Sequence, residues 1–303
     1  MRPVPTARAA QAAEIAGSRA GDLIELTKPR ITGMVLVTTC VGYLMAASGS
    51  GSLTLLVCAL AGTGLVTAGA QTINQLMERR TDALMLRTRD RPIPAGRVQP
   101  TEAFIYGTLL SVSGVAILAV GTNALTALLS CVALGSYLFA YTPLKRITPA
   151  CTLVGAVPGA IPPVMGWTAA RGGLEPTALA LFAILFAWQI PHFLAIAWMY
   201  REDYARAGLT IISVGDPDGA KTARGEILWS AALVAASLTP TALGAAGWIY
   251  GGGALLFGAG FFFVAAGLAR RRTVGQARTV LLASVIYLPV LLGLMLLDRI
   301  PPA

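Results

Sequence analysis

Three polar side chains, Asn74, Glu78 and Asp82, recur every four residues in the segment NQLMERRTD, where a long apolar stretch ends. At about 3.6 residues per turn, this spacing places an amide and two carboxylates in one column on a helix face. Hard oxygen atoms of this kind suit Mg²⁺, whose coordination shell is commonly completed by phosphate oxygens. The column is therefore predicted to bind a metal ion. A solvated helix end beside Arg79 and Arg80 is the simpler alternative.

An arginine-rich segment follows the column directly. The residues MLRTRDRP supply Arg87, Arg89 and Arg91 before Pro92, which ends any helix. A metal-binding column beside a cluster of guanidinium groups indicates a diphosphate site at a membrane surface.

A second polar segment, WQIPHFLAIAWMYREDYARAG, contains His192, which is the only histidine of the chain. A lone histidine is often a hydrogen-bonded core residue, but ionisable groups within a membrane are expensive and usually functional, so both interpretations stay open. Arg201, Asp203 and Tyr204 come about three turns later. They are predicted to reach the first loop if the bundle brings the two loops together.

Two further basic groups are expected on the same side of the membrane. The loop YTPLKRITP carries Lys145 and Arg146, and the segment 270–272 is a run of three arginines. For both groups taken alone, orientation of the chain or contact with anionic lipids is the simpler interpretation.

The composition is that of an integral membrane protein. Of 303 residues, 55% are hydrophobic and only 12% are charged, whereas soluble domains are about a quarter charged. The net charge of +9 is not taken to indicate a nucleic-acid partner, because of where the charges lie. Four cysteines without a CxxC pair, together with one histidine, argue against a disulfide framework and against zinc or redox chemistry.

Apolar stretches of about bilayer length predict an all-α polytopic membrane protein with nine transmembrane helices. The fifth stretch contains Pro158, Pro162 and Pro163 and is predicted to be a broken helix. With the N-terminus inside, 21 of the 23 Lys and Arg residues fall on the inner side, which predicts an N-in, C-out topology. The predicted spans are 31–49, 54–76, 102–120, 124–141, 150–168, 177–198, 227–247, 252–269 and 279–297.

The long loops 77–101 and 199–226 both lie on the predicted inner side, so active-site loops are expected on the cytoplasmic face. Residues 1–24 are Arg- and Ala-rich and too polar for a secretory signal. They are predicted to form a flexible cytoplasmic N-terminus, with a mitochondrial transit peptide as the less favoured alternative, and residues 25–303 to form one intramembrane domain.

The first motif, N-x-x-x-E-x-x-x-D-x-x-M-x-R-T-x-x-R-P from Asn74 to Pro92, resembles the signature of the UbiA-type intramembrane prenyltransferases. It is most similar to the branch that farnesylates heme B. YTPLKR, GAVPGAIPPVMGW, WQIPHF and REDYARAG resemble further family segments in the same order, so the resemblance covers about residues 25–230. Two features depart from the family. LTIISV replaces a Pro-Met-Leu-Pro-like stretch, and Ala207 interrupts the DxxxD column that begins at Asp203, which argues against a second metal.

The resemblance implies transfer of a farnesyl group from farnesyl diphosphate to a vinyl group of heme B, with water addition, to give heme O. It implies that His192 orients that water, contacts the propionates or ligates the iron. It also implies a multi-pass protein of the bacterial inner membrane, with the lipid bilayer and a downstream heme-modifying enzyme as partners. The implied Mg²⁺ ligands are Asn74, Glu78 and Asp82; the implied diphosphate-binding residues are Arg87, Arg91, Lys145, Arg146 and Arg201; and the implied catalytic set is Asp82, Arg87, Arg91, Lys145, His192, Arg201, Asp203 and Tyr204.

Three alternative functions were weighed. A quinone-pathway polyprenyltransferase acting on 4-hydroxybenzoate would keep the fold, but the MxRTxxRP end of the first motif favours heme. A secondary transporter would place its ionisable residues near the bilayer midplane at broken helices, whereas here they gather at the inner mouth. Nothing positive supports a non-catalytic assembly factor.

Overall fold

The computed structural model describes residues 18–48 and 51–301, in which the regular structure is helical apart from one isolated bridge between Ala246 and Arg299. In chain order the helices are α1 Arg19–Leu26, α2 Pro29–Ala46, α3 Leu53–Asp82, α4 Pro100–Gly121, α5 Ala124–Gly135, a π-helix Ser136–Tyr141, α6 Thr142–Leu144, α7 Cys151–Arg171, α8 Pro176–Met199, α9 Arg201–Arg206, α10 Ala220–Ala242, α11 Trp248–Arg271 and α12 Val274–Leu297.

Within the described residues, eight helical segments are long and apolar enough to span a bilayer. They are α2, α3, α4, the segment Ala124–Leu144, α7, α8, α11 and α12. The ninth long helix, α10, is not among them, and its first turns carry Lys221, Arg224 and Glu226. The all-α membrane fold is thus confirmed with eight candidate spans, while the ninth span and the N-in orientation stay predictions.

The prediction of a broken fifth span was wrong, because α7 runs without interruption through all three of its prolines. Close contact with α2 explains this continuity. A Cβ atom on Gly42 would lie 1.9 Å from the carbonyl oxygen of Pro163, and one on Gly166 would lie 2.0 Å from that of Thr39. The two backbones therefore lie in close contact, and packing against α2 supports a continuous α7 where an isolated segment would be interrupted.

A π-helical turn between α5 and α6 is a feature that the apolar pattern does not reveal. Its wider turn rotates the residues that follow relative to a regular α-helix. As a result Tyr137 donates a hydrogen bond to Gln71 over 3.1 Å, and Thr142 accepts one from Asn74 over 3.0 Å. The turn thereby joins this span to α3 beside the polar column.

Two groups of helices build the bundle. α3 lies along α4, and α2 packs against both α3 and α7. α8 connects α7 to α10 and α12, with α11 between α10 and α12. The segments 83–99, 145–150 and 200–219 meet at one end of the bundle, and we refer to these three segments as the basic face.

The predicted flexible N-terminus, residues 1–24, lies mostly outside the described residues. In the part that is described, α1 begins at Arg19, and Asp22 forms an ion pair of 2.8 Å with Arg97. Gln75 of α3 also donates to the carbonyl oxygen of Leu26 over 2.8 Å. Residues 19–26 are therefore anchored against the bundle.

Candidate active site at the basic face

The polar column occupies the last three turns of α3. Asn74 and Asp82 are each only 1% exposed, and Glu78 is half-buried. The amide of Asn74 donates to Thr142, and Glu78 contacts Lys145, so this face of α3 looks toward the π-helix and the loop after it. The column predicted from the four-residue spacing is therefore present on a helix, and it faces protein instead of solvent.

Both carboxylates of the column are paired with cations that the sequence assigns to diphosphate binding. Nζ of Lys145 lies 2.6 Å from Oε1 of Glu78, and Nη1 of Arg91 lies 2.7 Å from Oδ2 of Asp82. Among the described residues, no hydrogen bond reaches the second oxygen of either carboxylate. Each carboxylate thus has one oxygen engaged by a cation and one available to a further ligand.

Lys28 is a site residue that the sequence reading missed. It has a left-handed backbone conformation (φ 46°) and immediately precedes Pro29, the first residue of α2. Burial and the nearby positive charge of Arg91 lower the pKa of Lys28 to about 7, while Glu78 and Asp82 act in the opposite direction. In the sequence, Lys28 is marked only by its position before Pro29 at the start of the first span. Its proximity to the polar column depends on the tertiary fold.

Lys145 is held by aromatic as well as acidic neighbours. Its ammonium group lies 4.3 Å from the centre of the Tyr141 ring. Burial alone would lower the pKa of Lys145, but Tyr141 and Glu78 raise it well above its ordinary value. Lys145 therefore keeps its positive charge at neutral pH.

The loop after α6 is tied to the second polar segment. The backbone amide of Thr210 donates to the carbonyl oxygen of Lys145 over 2.7 Å, and its hydroxyl donates to that of Arg146 over 3.1 Å. The guanidinium group of Arg146 donates to the hydroxyl of Thr81 on α3. These contacts bring α3 and both loops together at the basic face.

The carboxylate of Asp203 is bound to the arginine-rich segment that follows α3. It accepts from the backbone amides of Leu86, over 3.2 Å, and Arg87, over 3.4 Å. It also forms an ion pair of 2.6 Å with Arg206. The predicted meeting of the two loops is therefore observed, and Asp203 is the residue that fastens them.

The remaining predicted residues of the second segment are also accounted for. Arg87 lies over the ring of Tyr200 and Arg201 over that of Trp198, each 4.7 Å from the ring centre. Tyr204 is half-buried, and burial raises its pKa above the ordinary value. Its hydroxyl therefore remains protonated and able to donate a hydrogen bond.

His192 lies apart from the column. It is half-buried on α8, and its Nδ1 is 2.8 Å from Oγ of Ser284 on α12. Within residues 18–48 and 51–301, no hydrogen bond or ion pair joins it to Asn74, Glu78 or Asp82. The basic face and the histidine are thus two distinct parts of the structure.

Residues 35–293 of the sequence match the family model of the UbiA prenyltransferase family. The chain belongs to this family. Curated relatives include the protoheme IX farnesyltransferase of Solibacter usitatus (strain Ellin6076), which is 47% identical over 92% of this chain and 98% of the relative. The protoheme IX farnesyltransferase of Myxococcus xanthus (strain DK1622) is 44% identical over 93% of this chain and 96% of the relative.

Solved structures of UbiA homologues share the fold of this family member. A digeranylgeranylglyceryl phosphate synthase superposes with a TM-score of 0.78 at 15% identity, covering 93% of this chain and 99% of the other. A UbiA homologue from Archaeoglobus fulgidus bound to GPP and Mg²⁺ superposes with a TM-score of 0.67 at 17% identity, covering 90% and 99%. At these identities the likeness shows the fold alone.

The oxygen donors of the polar column suit Mg²⁺ that also binds a prenyl diphosphate. They are too few for a metal ion coordinated by protein atoms alone. In the described part of the chain, no group of three or more His, Cys, Asp and Glu side chains gathers at one point. Two carboxylates and the amide of Asn74 form only a partial set. Mg²⁺ typically takes one or two carboxylates and completes its shell with water and phosphate oxygens, so the partial set fits.

Proposed function

We propose that this protein transfers the farnesyl group of farnesyl diphosphate to a vinyl group of heme B, and that water adds to the same vinyl group to give heme O. Two ion pairs, Glu78–Lys145 and Asp82–Arg91, carry the proposal. In each of them a predicted metal ligand contacts a predicted diphosphate-binding cation. Relatives that are 39–47% identical bear the name protoheme IX farnesyltransferase, which supports heme B as acceptor.

Asn74, Glu78 and Asp82 would hold Mg²⁺ through their side-chain oxygens. The ion, when bound, neutralises negative charge on the diphosphate and makes it a better leaving group. Arg91 pairs with Asp82 and Lys145 with Glu78, so with the metal held by these carboxylates both cations would be available to bind the diphosphate. The charges needed for catalysis are thus in place before the substrate binds.

The reaction breaks the bond between C1 of the farnesyl group and the diphosphate oxygen, and the bonding electrons leave with the diphosphate. The terminal vinyl carbon bonds to C1, the oxygen of a water molecule bonds to the inner vinyl carbon, and one proton of that water is released. Positive charge fixed near the departing diphosphate lowers the barrier, because it is already oriented where negative charge develops. The cations proposed for this role are Arg87, Arg91, Lys145, Arg146 and Arg201.

Two neighbours of these cations have supporting roles. Asp203 fixes the backbone at Arg87 and so positions its guanidinium group. Tyr204, kept protonated by burial, would donate a hydrogen bond to a diphosphate oxygen. The apolar helices around the site exclude bulk water, which prevents early capture of the allylic cation.

We place the protein in the bacterial inner membrane with the basic face toward the cytoplasm. This orientation puts 21 of the 23 Lys and Arg residues on the inner side. A heme-modifying enzyme that consumes the product is the expected partner.

The experiment uses the full chain purified in detergent and incubated with farnesyl diphosphate, Mg²⁺ and either heme B or 4-hydroxybenzoate. Mass spectrometry is expected to find heme B enlarged by one farnesyl and one hydroxyl group, and no such product with EDTA. Prenylated 4-hydroxybenzoate without a heme product would contradict the heme proposal while keeping a prenyltransferase. No product from either acceptor would overturn the proposed reaction.

A further inference from the structure

The single histidine belongs to a clamp formed between α8 and α12. Trp188 and His192 lie one turn apart on α8, and their rings stack with centres 5.1 Å apart and planes inclined by 26°. Both rings bind Ser284. The indole N–H of Trp188 donates to its carbonyl oxygen over 2.8 Å, and the imidazole Nδ1 lies 2.8 Å from its Oγ. The position and plane of the imidazole are therefore fixed by Trp188 and Ser284.

The hydrogen-bond network also determines which imidazole nitrogen carries the hydrogen. A serine hydroxyl has one hydrogen, and that of Ser284 is donated to the carbonyl oxygen of Leu281 over 2.7 Å. Oγ of Ser284 must therefore accept from His192, which places the hydrogen on Nδ1. In the neutral ring, Nε2 then carries the lone pair.

That lone pair has no hydrogen-bond partner among the residues that the structure describes. The ring is half-buried and flanked by apolar aromatic side chains, with Phe193 meeting it edge-on at 5.8 Å. Leaving a polar atom unpaired in apolar surroundings costs free energy, so Nε2 is suited to a ligand that accepts its electrons. A neutral acceptor nitrogen is not suited to bind an anionic propionate, because both groups are hydrogen-bond acceptors.

We propose that Ser284 is a positioning residue that holds His192 so that Nε2 ligates the iron of the porphyrin acceptor. The proposal rests on the proposed function, which makes the acceptor an iron porphyrin. Histidines that bind metals commonly donate their other N–H to an oxygen atom, which fixes the tautomer and raises the basicity of the ligand nitrogen. The bond from Nδ1 to Ser284 has this arrangement.

The position of the clamp along α8 agrees with this role. His192 lies seven residues before the end of the helix at Met199, or roughly 10 Å along the axis at 1.5 Å per residue. An iron atom held there lies within the apolar part of the bundle. The basic face, where the diphosphate would bind, begins directly after the end of α8.

The test compares binding of iron protoporphyrin IX and metal-free protoporphyrin IX to the full chain in detergent, without prenyl diphosphate. The wild-type protein is expected to bind the iron porphyrin more tightly and to give it the absorption and electron-paramagnetic-resonance spectrum of nitrogen-ligated iron. His192→Phe is expected to remove this preference while binding the metal-free porphyrin as before. Ser284→Ala is expected to weaken binding of the iron porphyrin by roughly 10-fold, the lower end for loss of such a supporting hydrogen bond.

Two variants serve as controls. Ser284→Thr keeps the hydroxyl and is expected to retain iron binding. Ser230→Ala removes another fully buried serine, one whose hydroxyl has no hydrogen-bond partner in the described part of the chain, and is expected to leave binding of both porphyrins unchanged.

Equal binding of the two porphyrins by the wild type, or a nitrogen-ligated spectrum in His192→Phe, would overturn the iron ligation. An unchanged affinity in Ser284→Ala would overturn the positioning role. Product formation measured on the same preparation separates these results from the proposed function. A protein that farnesylates heme B without an iron-dependent spectrum contradicts only the ligation, whereas a spectrum without product contradicts only the reaction.

Discussion

Nη1 of Arg91 lies 2.7 Å from Oδ2 of Asp82, an aspartate side chain that is 1% exposed. A predicted metal ligand and a predicted diphosphate-binding cation are therefore bound to each other. Lys145 and Glu78 repeat the arrangement one turn away. A dicationic metal and an anionic diphosphate can replace both internal pairs without leaving either charge uncompensated, so the two ligands are expected to bind together.

Asp82→Asn keeps the shape of the side chain but removes its charge. We expect kcat to fall by roughly 10²–10³-fold, as for loss of one preorganised electrostatic contact. Turnover of heme B at saturating Mg²⁺, followed by mass spectrometry, measures the effect. Asp90→Asn is the matched control, because Asp90 lies on the segment that directly follows α3 and its side chain is 82% exposed. It is expected to keep nearly full activity, and normal activity in Asp82→Asn would exclude Asp82 from the metal site.

Exchanging the charges of Glu78 and Lys145 distinguishes an effect on stability from an effect on catalysis. Glu78→Lys or Lys145→Glu alone places two like charges together in a mostly buried position, and loss of a buried partner costs roughly 3–5 kcal/mol. The double exchange restores an ion pair, so we expect the melting temperature in detergent to recover. Turnover is expected to stay lost, since the metal ligand has moved from α3. Recovery of turnover in the double variant would show that Glu78 acts only as a structural partner.

Asp203→Ala is expected to loosen the backbone at Leu86 and Arg87 and to raise KM for farnesyl diphosphate about 10-fold, the effect of losing about 1.4 kcal/mol of binding. Steady-state kinetics with varied farnesyl diphosphate measure this change. Glu202→Ala is the control, since Glu202 is adjacent and exposed. Equal kinetics in the two variants would mean that the contact between the loops does not position Arg87.

Asp216 provides a prediction about pH. Burial alone would raise its pKa, but hydrogen bonds from the amides of Thr222 and Lys221 and from the Thr222 hydroxyl lower it below the ordinary value of 3.8. Because the folded-state pKa is the lower one, its stabilisation is complete above the ordinary value and is lost as pH falls through the folded-state value. Asp216→Asn should therefore be less stable than wild type at pH 7 by about 1–2 kcal/mol, because the amide nitrogen that replaces one carboxylate oxygen cannot accept its hydrogen bonds.

Thermal unfolding from pH 7 to pH 3 checks this prediction. The difference between wild type and Asp216→Asn should stay constant at neutral pH and narrow only below about pH 4. Asp90→Asn is the control, because the Asp90 side chain is 82% exposed and lies on a different segment. A difference that stays the same at pH 3 would contradict the assignment.

The local parts of the site were predictable from sequence, because helical spacing and apolar length are local properties. The spacing of Asn74, Glu78 and Asp82 placed them on α3, and the meeting of the two loops at Asp203 is observed. Contributions that depend on tertiary structure were missed. Lys28, whose backbone is left-handed, lies near enough to Glu78 and Asp82 for their charges to act on it, and Ser284 meets His192 from a helix 92 residues away.

Local rules also gave one error. The three prolines of α7 indicate a broken helix, but close backbone contact with α2 keeps the helix continuous. The seventh predicted span begins at residue 227, inside helix α10, which itself begins at Ala220. The first turns of α10 carry polar residues that an apolar window excludes, although two of them, Thr222 and Glu226, are buried inside the bundle.

Binding of a non-hydrolysable farnesyl diphosphate analogue, measured by calorimetry with Mg²⁺ and with EDTA, tests most directly whether the column and the cations form one metal–diphosphate site. The wild-type protein should bind the analogue tightly only with Mg²⁺, and Asp82→Asn should bind it weakly in both conditions. Equal affinity of the wild type with Mg²⁺ and with EDTA would contradict the exchange of ion pairs at Asp82 and Glu78.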